Sequence, residues 1–312
     1  METRKLGSTG PDLSVVGLGC NNFGMRIDAA GSAAVVTAAL DAGITHFDTA
    51  QSYGGGGRSE EFLGAALASR RDEAVIATKV ARRGPDDPYT PGALRRRIVE
   101  GAEASLRRLR TDRIDLYYEH FPDPEAPIDE VLGAFDELVS AGKVLHIATS
   151  NVSAAQIEAR MTLSAERGWA AFTGAQIEWS LIKREVEAEI VPAALKAGLG
   201  IVPYFPLASG LLTGKYRAGE PFPEGTRLAS SDYFAAIATP ENFAYVDALS
   251  AFAAERGHSV LELAVAWLVA HYGVTSVITG ATRPEQIAAN VAGADWKLSA
   301  DDLAALPQLT SA

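Results

Sequence analysis

Short apolar runs alternate with longer amphipathic stretches along nearly the whole chain. Runs at 15–19, 46–48, 75–78, 115–118, 144–149, 175–178, 200–203 and 276–279 have the length and bounding turn residues of buried strands. Between and after them the spacing predicts helices over 33–41, 60–68, 91–109, 128–141, 154–167, 187–196, 260–272 and 284–292. In the stretch from Val260, the residues Leu261, Ala264, Val265, Leu268, Val269 and Tyr272 keep the stripe of a helix packed on a sheet. Strand signals each followed by a helix signal make a closed α/β barrel of parallel strands the economical fold. Residues 4–16, with Gly7-Ser8-Thr9-Gly10-Pro11 at the turn, form a hairpin ahead of the first barrel strand. From 208 to 242 the chain is rich in Gly, Pro and Ser, the composition of a long loop that is either a lid or disordered.

A chain of 312 residues would ordinarily suggest two domains, but a single α/β barrel commonly fills about 250 residues or more. One domain over 1–312 is therefore expected. Hydrophobic residues at 47% and charged residues at 21% describe a folded chain with a sizeable core. The start shows no basic, apolar leader, and no apolar run is long enough to span a bilayer, so secretion and membrane insertion are not expected. The lone Cys20 has no internal disulfide partner, and a cytoplasmic location fits best. A net charge of -11 argues against a nucleic-acid partner. Any bound phosphate needs a local cluster of donors. The Gly17–Gly24 stretch has Asn22 where a dinucleotide fingerprint needs its third glycine, and Gly54–Gly57 follows a tyrosine, as a mobile loop beside a site would. A single cysteine and no His pair at helical spacing make a metal site improbable.

The chemistry gathers at strand ends. Phe47-Asp48-Thr49-Ala50-Gln51-Ser52-Tyr53-Gly54 sets a carboxylate at the end of one strand and a phenol in the loop after it. The next strand ends at Thr78-Lys79, and the one after at Glu119-His120. Taken singly, each is an ordinary polar residue at a strand end. Three successive strands ending in ionisable residues at one rim are what a parallel barrel uses for catalysis. A lysine cation beside a phenol stabilises the phenolate, by about 4 kcal/mol at 4 Å and an effective dielectric of ~20. That would make Tyr53 a usable acid, with Asp48 holding Lys79 and His120 orienting a carbonyl. His46 and His146 are expected in the core or barrel interior, and His258 and His271 at the periphery.

On these residues the chain resembles the aldo-keto reductases, nicotinamide-dependent oxidoreductases on a (β/α)8 TIM barrel whose floor is closed by an N-terminal β-hairpin. The resemblance covers roughly residues 4–306, and the family's catalytic tetrad falls on Asp48, Tyr53, Lys79 and His120. It further implies NADP(H) as cofactor and carbonyl reduction by hydride transfer, with Tyr53 as general acid. Ser150, Asn151 and Gln176 are implied at the nicotinamide carboxamide, and Tyr204 beneath its ring. The run Phe205, Pro206, Leu207, Ser209, Gly210 and Lys215, with Arg227, is implied around the pyrophosphate. Gly280, Thr282 and Arg283 are implied at the 2′-phosphate, with Gln286 and Asn290 near the adenine. The Gly280-Ala281-Thr282-Arg283-Pro284 segment also suits such a ligand physically, because it opens a helix whose N-terminus attracts phosphate. A solvated arginine ahead of a helix is the alternative from the residues alone.

Trp179 stands where relatives often carry Tyr, and Phe205 where Ser is frequent. With Phe23, Met25 and Phe121, and with Tyr233 and Phe234 of the long loop, they are expected around a small-molecule carbonyl substrate whose identity the sequence leaves open. Oligomeric state is equally open. A second function in another class is a cofactor-sensing subunit resembling the auxiliary subunits of potassium channels. His120 and the lack of an N-terminal extension favour the enzyme.

Overall fold

The computed structural model describes residues 1–84 and 86–311. Its strands are β1 (Thr3–Lys5), β2 (Asp12–Ser14), β3 (Val16–Gly19), β4 (His46–Asp48), β5 (Val75–Lys79), β6 (Ile114–Glu119), β7 (Val144–Ser150), β8 (Phe172–Glu178), β9 (Gly200–Tyr204) and β10 (Val277–Gly280). From β3 to β10 they pair in parallel, in the order β10-β3-β4-β5-β6-β7-β8-β9. Among the described residues the remaining seam closes through Ile201, which donates its N–H to Gly273, 2.8 Å, and accepts from the Thr275 N–H, 2.8 Å. The helices are α1 (Ala29–Asp41), α2 (Tyr53–Gly56), α3 (Arg58–Leu67), α4 (Ala93–Leu109), α5 (Ile128–Ser140), α6 (Ala154–Arg167), α7 (Ile190–Lys196), α8 (Asp232–Ala235), α9 (Pro240–Ala254), α10 (Val260–Ala270), α11 (Glu285–Asp295) and α12 (Ala300–Ala305). Among the described residues no helix is long and apolar enough to cross a membrane.

The expected (β/α)8 barrel and hairpin are present. β6 is buried at every position, as a strand covered on both faces must be. The antiparallel β1–β2 hairpin sends Leu6 and Leu13 into a cluster with Leu116, Tyr118, Ala148 and Val202. Arg4 pins the hairpin by donating to the carbonyls of Val269 and Val274, 2.9 and 2.8 Å. Gly200 leaves room for it, since a Cβ there would lie 2.7 Å from Leu6.

The helices begin where side chains satisfy the free backbone N–H groups. Asp28 caps α1, and Ser153 with Gln156 and Ser259 with Glu262 form capping boxes on α6 and α10. Two expectations fail. The stretch 208–242 is not loop to its end: Thr239 accepts from Asn242 N–H and Pro240 occupies the first turn of α9, a start signal masked by the surrounding Gly and Pro. The helix from Val260 stops at Ala270, and Tyr272 is 87% exposed rather than packed on the sheet, because His271 leaves the helical backbone conformation.

Candidate active site

Asp48, Lys79 and His120 arrive at one rim because β4, β5 and β6 are hydrogen-bonded neighbours, pairing Asp48 with Ala77 and Lys79 with Tyr118. Tyr53 is held beside them by the turn after β4, in which its N–H donates to Ala50 and its carbonyl accepts from Gly57. Gly54 makes that turn possible: its φ is 73°, and a Cβ would sit 2.8 Å from the Phe23 carbonyl.

Lys79 is fully buried and donates to Asp48 Oδ1, 2.5 Å, and to the Thr49 carbonyl, 2.8 Å. The other oxygen of Asp48 accepts from Gln176 Nε2, 2.8 Å. The Lys79 Nζ lies 5.0 Å from the Tyr53 ring centroid, and the Tyr53 and His120 rings meet edge to face at 5.9 Å. Burial opposes the Lys79 charge, but Asp48 and the phenol outweigh it and hold the ammonium above its ordinary pKa. The electrostatics of Tyr53 correct the sequence expectation. Burial raises the phenol's pKa by more than Lys79 lowers it, so the net displacement is upward. Burial, then the charges of Lys79 and Arg82, push His120 down to about 3, which leaves the imidazole neutral.

From these groups a cavity of about 1100 Å³ extends across the rim. Asp48, Tyr53 and His120 line it, whereas Lys79 lies behind its wall. Ser150, Asn151, Gln176, Tyr204, Phe205, Pro206, Leu207, Ser209, Gly210, Lys215, Arg227, Gly280, Thr282, Arg283, Gln286 and Asn290 line it too. Asn151, at φ 56°, braces the wall by donating to the His120 carbonyl, 2.9 Å, and accepting from the Tyr204 hydroxyl, 2.8 Å. The chain after β9 is bent by positive φ at Phe205, Ala208, Ser209 and Gly210, a conformation that side chains other than Gly rarely hold without a compensating contact. At the far end Gln286 accepts from the N–H groups of Thr282 and Arg283, 2.7 and 3.2 Å. Pro284 supplies no side-chain cap to α11, and Gln286 fixes this turn instead. Lys215 and Arg283 have no carboxylate partner among the described residues.

The cavity therefore offers an aromatic floor, amide groups and unpaired cations in succession. That donor set fits a dinucleotide: a flat heterocycle over Tyr204, and phosphates toward Lys215, Arg227 and Arg283.

The expected substrate wall is only partly there. Phe121, Phe205 and Tyr233 line the cavity, and Phe234 packs behind Phe205, 6.2 Å between ring centroids. Phe23 is buried in the core and Met25 is 71% exposed, and neither lines the cavity. Trp179 is also buried, donating Nε1–H to Glu187, 2.9 Å, and packing on Trp267 and His271. Gln176 and Glu178 of β8 line the cavity, whereas Trp179, the first residue beyond the strand, is drawn away from it by these contacts.

Sequence reasoning missed Asn21, Asn22, Arg26, Ser52 and Glu178 on the wall. Arg26 donates to the Gly225 carbonyl. Arg227 donates to the side-chain oxygens of Asn21 and Asn22, 3.3 and 3.2 Å, and lies over the rings of Phe205 and Phe234. Together they tie the 222–234 segment across the rim. Burial raises the Glu178 carboxyl, partly offset by Lys183.

The Aldo/keto reductase family model matches residues 15–310. Aldo-keto reductase YhdN of Bacillus subtilis (strain 168) is 36% identical over 310 residues, covering 97% of this chain and 91% of that protein. A rice (Oryza sativa subsp. japonica) protein named "Probable voltage-gated potassium channel subunit beta" is 35% identical over 305 residues, 95% and 92% of the two chains. L-glyceraldehyde 3-phosphate reductase of Escherichia coli (strain K12) is 32% identical over 304 residues, 93% and 87% of the two chains.

Proposed function

The chain belongs to the aldo-keto reductase family of oxidoreductases, and from that membership we propose that it is an NADPH-dependent reductase of aldehydes or ketones acting in the cytoplasm as a single barrel domain. The observation that carries the reading is the position of Tyr53, at the head of the cavity between a buried cation and a neutral imidazole. NADPH, when bound, supplies the hydride. The chain's own residues manage the proton and the pose. Tyr53 keeps its phenolic proton through neutrality, because burial lifts its pKa, and gives it to the carbonyl oxygen. Lys79, kept charged by Asp48, stabilises the phenolate left behind. His120, a neutral N–H donor, orients the carbonyl oxygen.

Tyr204 receives the nicotinamide ring, and Ser150, Asn151 and Gln176 its carboxamide. Gln176 already donates to Asp48, which couples the carboxamide site to the tetrad. Phe205 to Gly210, Lys215 and Arg227 surround the pyrophosphate, Gly280, Thr282 and Arg283 hold the 2′-phosphate, and Gln286 and Asn290 flank the adenine. The test is NADPH consumption with a panel of aldehydes and ketones. Turnover that disappears in Tyr53→Phe while NADPH still binds supports the reading.

Two plant relatives are each named "Probable voltage-gated potassium channel subunit beta", and the second reading is a cofactor-sensing binding subunit of that kind, with little turnover. It predicts tight NADPH retention without carbonyl reduction. The same panel separates the two.

A further inference from the structure

Among the described residues, three carboxylates line the main cavity: Asp48, Glu178 and Glu224. Asp48 is committed to Lys79 and Gln176, and Glu224 is exposed on the segment that crosses the rim. Glu178 differs from both. It is half-buried, yet among the described residues its carboxylate accepts no hydrogen bond and joins no ion pair. Lys183, the cation that acts on it, pairs instead with Glu185 at 3.8 Å. Burial raises the Glu178 carboxyl above its ordinary pKa, the sign of a desolvation cost that nothing in the free protein fully offsets.

Two strands fix the position of this anion. Glu178 follows Gln176 by two residues in β8, so the two side chains leave the same face of the strand about 7 Å apart. In the parallel ladder Glu178 is also the register partner of Tyr204, at the end of β9. Of the charges that act on the Tyr204 hydroxyl, Glu178 is the strongest, and Tyr53 acts on the same hydroxyl. With a nicotinamide carboxamide at Gln176 and its ring over Tyr204, the carboxylate borders the ring. Reduction of a carbonyl takes a hydride, one proton with two electrons, from the cofactor to the carbonyl carbon, and the Tyr53 proton to its oxygen. The nicotinamide is neutral before that transfer and singly positive after it. Resting on the cofactor pose of the reductase reading, we infer that Glu178 is the counter-anion of the oxidised nicotinamide, holding NADP⁺ in preference to NADPH and favouring hydride departure. Lys79 does not cancel this field, because Asp48 already neutralises that cation.

The experiment titrates NADP⁺ and NADPH by fluorescence into the parent protein and into Glu178→Gln, which keeps the shape of the side chain and removes its charge. The readout is the ratio of the NADP⁺ Kd to the NADPH Kd, from which any loss of folded protein divides out. Glu178→Gln is expected to raise that ratio by about fivefold, the effect of one part-exposed charge pair. Glu178→Asp should raise it less, and Glu178→Lys more. An unchanged ratio in Glu178→Gln, with both cofactors still bound, overturns the inference and leaves the reductase reading standing. Equal weakening of the two cofactors overturns it as well, since Glu178 would then only hold the cavity wall in place. The expected ratios without reduction of any carbonyl in a wide panel support the Glu178 assignment and remove the reductase reading. Failure of the parent protein to bind either cofactor removes both.

Discussion

Lys79 and Arg283 are both cations at the rim, yet their settings are opposite. Lys79 is 0% exposed, behind the cavity wall, with Asp48 and Thr49 accepting its protons. Arg283 is exposed, and among the described residues only its backbone is engaged, its N–H donating to the Gln286 side chain and its carbonyl accepting from the Gln286 N–H. The end proposed for proton transfer is arranged before any ligand arrives, so charge developing there would need no reorganisation. At the end proposed to receive phosphate the charge is left uncommitted among the described residues, and a bound anion would break no existing pair. A group acting on a transition state must be fixed, whereas a group capturing a ligand must be free to meet it.

Substitutions should separate the two ends. Tyr53→Phe is expected to lower kcat by at least about a hundredfold, with NADPH affinity within a few-fold of the parent. Cofactor loss of the same size as the activity loss would merge the two ends. Lys79→Met should cost nearly as much activity and, by leaving Asp48 buried without its cation, about 3–5 kcal/mol of stability. Adding Asp48→Asn should recover much of that stability in denaturant melts without restoring turnover. Recovery of both would make the pair structural only.

At the other end the effect falls on one cofactor. Arg283→Ala is expected to weaken NADPH by about 10- to 150-fold and NADH hardly at all, because NADH lacks the phosphate. Fluorescence titration of both cofactors decides it, and equal weakening of the two removes Arg283 from that role. The smallest effect expected is that of pH. Tyr53 is raised above its ordinary value of 10.0 and His120 is lowered to about 3. The acid form of the phenol and the neutral imidazole therefore both persist across neutrality. For reduction, kcat/KM should stay flat from weakly acidic to weakly alkaline pH and fall only as pH rises through the Tyr53 pKa. A step near the usual histidine pKa, about 6.5, would show that His120 titrates freely.

Much of the site was legible because its residues stand at the ends of strands that the apolar pattern already marks. Asp48, Lys79 and His120 needed only the inference that successive strands are neighbours. The Arg26 contact with Gly225 was not legible: it spans 199 residues of chain and leaves no local signal. Trp179 was misplaced because it is the first residue beyond β8, where its direction is set by packing on Trp267 and His271 rather than by the strand pattern. The sign of the Tyr53 displacement was out of reach for another reason. Proximity to a lysine can be read from strand order, but the burial that outweighs it depends on how the whole rim packs.

Among the described residues, β9 and β10 share no ladder, and Ile201 alone supplies the two backbone bonds across their seam. Elsewhere around the sheet, ladders such as those of β6 with β7 and β8 with β9 hold five registered pairs each. Local opening of a fold begins where the fewest bonds must break together. Amide protons bordering this seam should therefore exchange with solvent sooner than those of β6 and β7. Tyr204 belongs to one strand and Gly280 to the other, and both line the same cavity. A molecule touching both would act as a clasp across the gap, and its arrival should be recorded as slowed exchange along a seam that no part of the reaction uses.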